Sequence, residues 1–112
     1  MDRDLPVVGF ADRAELRAWL ERHHVDSEGV LVRIPKGGRA GLTFEDVLDE
    51  GLCFGWSEST RLPGNAAYYL QRFTPRRRPG TTSTRNITHA RRLIAEGRMT
   101  PAGLAALRWS PE

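Results

Sequence analysis

The stretch "FEDVLDEGLCFGWSESTRLPGNAAYYLQRF", residues 44–73, passes from a helical pattern into an extended one and so requires both structure types in one short chain. Thr43 precedes it with Asp46 three positions on and Glu45 also in the first turn, an N-terminal helix signature that suits the macrodipole. A helix is predicted over about 44–53, burying Phe44, Val47, Leu48, Gly51 and Leu52 on one face. Gly51 lets a neighbouring element approach closely, and Gly55 is the expected stop. Beyond it, "WSESTRL" and "AAYYLQRF" flank the turn signal "PGN", which predicts a β-hairpin across 56–74. In its second arm Tyr69, Gln71 and Phe73 face one way, and Tyr68, Leu70 and Arg72 the other.

Working outward, "FADRAELRAWLERHH" offers Asp12 as N-cap and Glu15 three residues later, predicting a helix over about 12–24. Leu16, Trp19, Leu20 and His23 lie at helical spacing on its apolar face, with Arg13, Arg17, Glu21 and Arg22 toward water. "VLVRIPK" is β-branched and ends at Pro35, predicting a central strand over about 29–35. "TPRRRPGTTS" carries the proline and glycine of a loop. Ser83 or Thr84 then caps a helix with Ile87, Ala90, Leu93 and Ile94 on its inner face, ended by Gly97. Thr100 and Pro101 open a short last helix packed through Leu104 and Leu107, and Trp109 beyond it.

The expected architecture is α+β: a small antiparallel sheet of about three strands including the hairpin, covered by three or four helices. At 112 residues this is one domain, 1–112, with one core. No apolar run approaches the ~18 residues that span a bilayer, and "MDRDLPVVGF" lacks a signal-peptide core, so no membrane partner is expected and the expected location is the cytoplasm. A lone cysteine, Cys53, forms no internal disulfide and has no ligand neighbours at metal spacing. No metal and no cofactor are expected.

The net charge of +3 hides an asymmetry: residues 1–60 hold 7 Lys+Arg against 12 Asp+Glu, and residues 61–112 hold 10 against 2. Such a division points to an anionic partner, or to two halves complementary to each other within one fold. Arg72, Arg76, Arg77, Arg78 and Arg85 converge on the end of the hairpin and the start of the next helix, where free N–H groups attract anions. Arg85 opposes the dipole of its own helix unless an anion or an acidic neighbour compensates. Trp56 and Glu58 supply the facing wall, with Asn86 in the first helical turn. Glu58 pairs with Arg72 across the hairpin if the two share a face, and is the one candidate for an acid or base. Cys53, near a helix C-terminus, is a core residue rather than a nucleophile.

"LCFGW" (52–56), "LQRFTPR" (70–76), "RN" (85–86), "LI" (93–94) and "GRMTPAG" (97–103) together resemble the YdeI/OmpD-associated family of small bacterial proteins over nearly the whole chain. The resemblance implies a stress or bacteriocin-protection role. The chain has Ser57-Glu58 where that family commonly carries Ile-Asp, and Thr82 where it usually has tryptophan. Three functional readings stand open: an arginine-rich surface binding a small anion or phosphate group, nucleic-acid binding by the basic half with aromatics interleaved among arginines, and a small enzyme using Glu58.

Overall fold

The computed structural model describes residues 5–77 and 83–109. Arg78 and Thr82, both singled out in the sequence, lie outside the described residues. The elements run β1 (Val7–Val8), α1 (Arg13–His23), β2 (Val30–Pro35), α2 (Phe44–Phe54), β3 (Trp56–Leu62), β4 (Tyr68–Pro75), α3 (Thr84–Ala95) and α4 (Pro101–Leu107). The α+β reading holds, with four helices over one sheet.

The sheet differs from expectation in one respect. It has four strands in the order β1-β2-β4-β3 and is mixed, because β1 runs parallel to β2 while β2–β4 and β3–β4 are antiparallel. Val7–Val8 is too short to display an alternation of period two, so no sequence pattern marks it. It is identified instead by its backbone, where Leu31 N–H donates to the Pro6 carbonyl at 2.9 Å. β2 is central, as predicted.

Each helix begins at its expected cap. Asp12 accepts from Glu15 N–H at 3.0 Å, and the Glu15 side chain reaches past the cap to Ala11 N–H, also at 3.0 Å. Thr43 and Asp46 form a reciprocal capping box with both bonds at 3.1 Å. Ser83 accepts from Asn86 N–H, and Thr100 from Gly103 N–H with Pro101 at the first helical position.

Alternation divides the sheet as predicted. Val30, Val32 and Ile34 face the helices opposite Phe73, Gln71 and Tyr69, while Leu31, Arg33 and Pro35 face away opposite Arg72, Leu70 and Tyr68. An aromatic series joins helix and sheet: Trp19 meets Trp56 edge-to-face at 5.6 Å between ring centroids, and Trp56 meets Phe73 in a tilted contact at 4.9 Å. A bulge between Glu58 and Arg61 interrupts the hairpin, and the buried Gln71 amide donates to the Thr60 carbonyl there at 3.3 Å.

Helix α2 is the hub of the fold, packing against α1, β3, α3 and α4. It was expected to bury one face. In fact every residue from Val47 to Phe54 is buried, Asp49 and Glu50 included. Gly51 provides the close approach expected of it: a Cβ there would stand 2.8 Å from the Phe73 ring.

Candidate functional site

The predicted site residues do not form one cluster. Hairpin register sets Glu58 opposite Phe73, not Arg72, so Glu58 and Arg72 occupy opposite faces of the sheet. The Arg72 guanidinium instead donates to Ser59 Oγ at 3.1 Å on the outer face. Trp56 is 1% exposed, and its indole N–H donates to the His24 carbonyl at 3.2 Å. It is a core side chain, because the inward register that it shares with Glu58 drives it under α1.

Glu58, Arg76 and Arg85 are linked electrostatically. Glu58 is half-buried at the rim of the helix-facing side, where burial pushes its carboxyl above the usual glutamate range while Arg76 and Arg85 pull it back. Arg76 follows β4 and is held by its N–H to the Gly55 carbonyl at 2.9 Å. Arg85 and Asn86 lie in the first turn of α3. That turn contains no acidic residue, whereas α1 has Glu15 there and α2 has Glu45 and Asp46. The corner therefore holds two arginines, a helix N-terminus and one carboxyl that burial shifts upward.

A second charged cluster was not foreseen. Glu50 is fully buried at 0% exposure. Its Oε2 accepts from Arg13 Nε at 2.6 Å and Arg98 Nη2 at 2.8 Å, and its Oε1 from Arg17 Nη1 at 2.9 Å. Burial alone would push this carboxyl up, but hydrogen bonds from Arg98, Arg13 and Arg17 outweigh it and hold the group below its ordinary 4.5. Next to it, both Asp49 oxygens accept from Arg92 Nη2, at 2.8 and 2.9 Å. Arg17 donates its other terminal nitrogen to the Arg98 carbonyl at 2.9 Å and lies over the Phe54 ring at 5.1 Å. Arg13 and Arg17, predicted to face water, are thus turned inward by an acid the one-sided reading of α2 left outside.

A sequence signal for this cluster does exist. Cys53 and Phe54 follow Asp49 and Glu50 by four residues each, so the side of α2 that carries the acids also carries apolar residues and is covered. The cluster bears no nucleophile. The buried Cys53 thiol is pushed up by burial and then by Glu50, with the Arg17 and Arg98 charges only partly opposing, which leaves it protonated. Among the described residues no group of three or more His, Cys, Asp or Glu could hold a metal ion, and no helix is long and apolar enough to cross a membrane.

The fold and its two charged clusters define a small α+β domain built around a buried arginine–acid network. Residues 8–106 match the model of a domain of unknown function, DUF8412, and the chain belongs to that family. No curated protein and no solved structure matches it.

Proposed function

We propose that this domain is a non-catalytic binding protein whose partner presents an oxyanion to Arg76, Arg85 and Asn86, beside Glu58. The observation that carries this reading is the start of α3, a helix N-terminus with Arg85 and no acidic residue in its first turn, whose Arg85 acts together with Arg76 on the charge of Glu58. An incoming phosphate or carboxylate supplies the negative charge that Glu15, Glu45 and Asp46 supply to the other long N-terminal turns. Arg72 belongs to the outer face, so its contribution is to the field and not to the same contact. The resemblance to the YdeI/OmpD-associated family supports a protective role inside the bacterial cell, with anion capture as its molecular step.

Titration of the full chain with inorganic phosphate, followed by amide shifts, tests the reading. The expected result is movement of Arg76 and residues 84–87, with binding weakened about tenfold in the Arg76→Gln/Arg85→Gln double variant. Glu58→Gln should tighten binding by removing a competing negative charge. Unmoved amides at 84–87 would contradict the proposal. A single-stranded oligonucleotide that binds with a steep log–log salt slope would favour the nucleic-acid reading instead.

A second reading has one observation in its favour. A half-buried glutamic acid with its carboxyl raised and two arginines alongside is the arrangement of a general acid. Under that reading Glu58→Gln abolishes turnover of a bound substrate rather than tightening binding.

A further inference from the structure

At the other end of β2 and β4 from Glu58, a cleft of about 460 Å³ opens where four segments meet: residues 9–11 before α1, Arg33 and Pro35 on β2, Arg39 and Ala40 in the loop beyond, and Ala67 and Tyr68 at the base of the hairpin. Its volume lies within the range of small-molecule sites, roughly 300–1,000 Å³. Its lining includes two aromatic rings, Phe10 and Tyr68, and its charged residues, Arg33 and Arg39, are of one sign. Phe10 and Tyr68 are half-buried, and Phe10 is fixed edge-to-face against Trp19 at 6.0 Å between centroids. The Arg33 guanidinium lies 5.6 Å from the centre of the Tyr68 ring. Arg39 is steadied by its Nη1 bond to the Lys36 carbonyl at 3.2 Å, and Lys36 Nζ by the Asn65 carbonyl at 2.9 Å.

No acidic residue lines this cleft, and residues 29–44 contain none. That is a sharp contrast with Arg13, Arg17, Arg92 and Arg98, each of which meets a carboxylate of Asp49 or Glu50. Arg33 and Arg39 on the cleft, and Lys36 in the chain between them, thus have only carbonyls and a ring as their described partners, within the half of the chain that is acidic overall. A concave site with low-dielectric walls focuses such a field. Guanidinium groups offer paired N–H donors to a planar or tetrahedral oxyanion, and the aromatic walls accept a flat ring.

We infer that this cleft binds a small ligand that joins one planar ring to one oxyanion, the ring between Phe10 and Tyr68 and the carboxylate or phosphate on Arg33 and Arg39. The site is separate from the α3 corner, and its occupancy is read on different amides.

Phenyl phosphate, benzoate, inorganic phosphate and benzyl alcohol, each titrated into the full chain by calorimetry and amide shifts, test the inference. Phenyl phosphate or benzoate should move the amides of residues 9–11, 39–40 and 67–68, and the tighter of the two identifies the oxyanion. Inorganic phosphate and benzyl alcohol, each holding half of the ligand, should bind there about tenfold more weakly or less. The Arg33→Gln/Arg39→Gln double variant should lose about tenfold in affinity with its amide dispersion retained. Unmoved amides with both ring-bearing anions would overturn the inference, as would equal affinity in the double variant or benzyl alcohol binding as tightly as the anions. Should the double variant not fold, the amides of the native protein decide.

Discussion

Glu50 has the most demanding environment of any side chain described. A carboxylate with no exposed surface is tolerated because three guanidinium groups satisfy it, and removing one member of such a cluster leaves the rest as uncompensated buried charge. Glu50→Gln keeps the size and removes the charge, so it should destabilise the domain by about 3–5 kcal/mol, read as a drop in the urea midpoint. The control is Glu21, 59% exposed and 3.9 Å from Arg17, where Glu21→Gln should cost no more than about 0.5 kcal/mol. Equal effects at the two positions would mean the cluster is a surface feature. Glu50 was not legible as a core residue because a single helix shows only its own periodicity. Burial on all sides is set by α1, α3 and α4 arriving from distant parts of the chain.

At the scale of elements, local chemistry marks starts and stops well. Asp12, Thr43, Ser83 and Thr100 each cap the helix that follows, and Gly55 ends α2 in the left-handed conformation at φ 77°. These signals are legible because they depend on residues within one turn. The β1 strand and the faces of the hairpin were less so: two residues carry no period, and the pairing of Glu58 with Phe73 instead of Arg72 depends on a register shifted by the bulge. The candidate site inherited that ambiguity, which is why Arg72 separates from Glu58. The contact between α2 and α4 is tighter than composition suggests. Thr100 Oγ1 and N–H both reach the Cys53 carbonyl, and a Cβ on Gly103 would collide with the Leu52 and Cys53 carbonyls and the Met99 sulfur. Gly103→Ala should therefore displace α4 and destabilise the domain by about 1–3 kcal/mol, despite the better helix propensity of alanine, seen as a lower melting temperature. An unchanged or higher melting temperature would show that α4 packs more loosely than described.

For the whole molecule, the division into an acidic first half and a basic second half becomes partly an internal bond. Asp49 and Glu50 come from the first half, Arg92 and Arg98 from the second, and their bonds draw α3 and the turn after it onto α2. The sequence held both possibilities, an anionic partner or complementary halves, and could not divide the arginines between them because that division depends on tertiary contacts. In the folded chain Arg92 and Arg98 pair with Asp49 and Glu50, and the two binding proposals concern other arginines, Arg76 and Arg85 in one and Arg33 and Arg39 in the other.

The same network fixes the sign of the response to acid. Glu50 has a folded-state carboxyl below 4.5, so its contribution is present above pH 4.5 and is lost as the pH falls toward the depressed value. Glu58 acts in reverse: its carboxyl is raised, so its contribution is in place below 4.5 and is lost as the pH rises through the raised value. The buried network predominates because three arginines depend on Glu50, so stability should decline on acidification below about pH 4.5. The most direct test is to follow the Glu50 side-chain carboxyl carbon by NMR as the pH is lowered. The central role of this residue predicts a midpoint below 4.5, with protonation accompanied by loss of the folded spectrum. A midpoint at or above 4.5 in a chain that stays folded would contradict it.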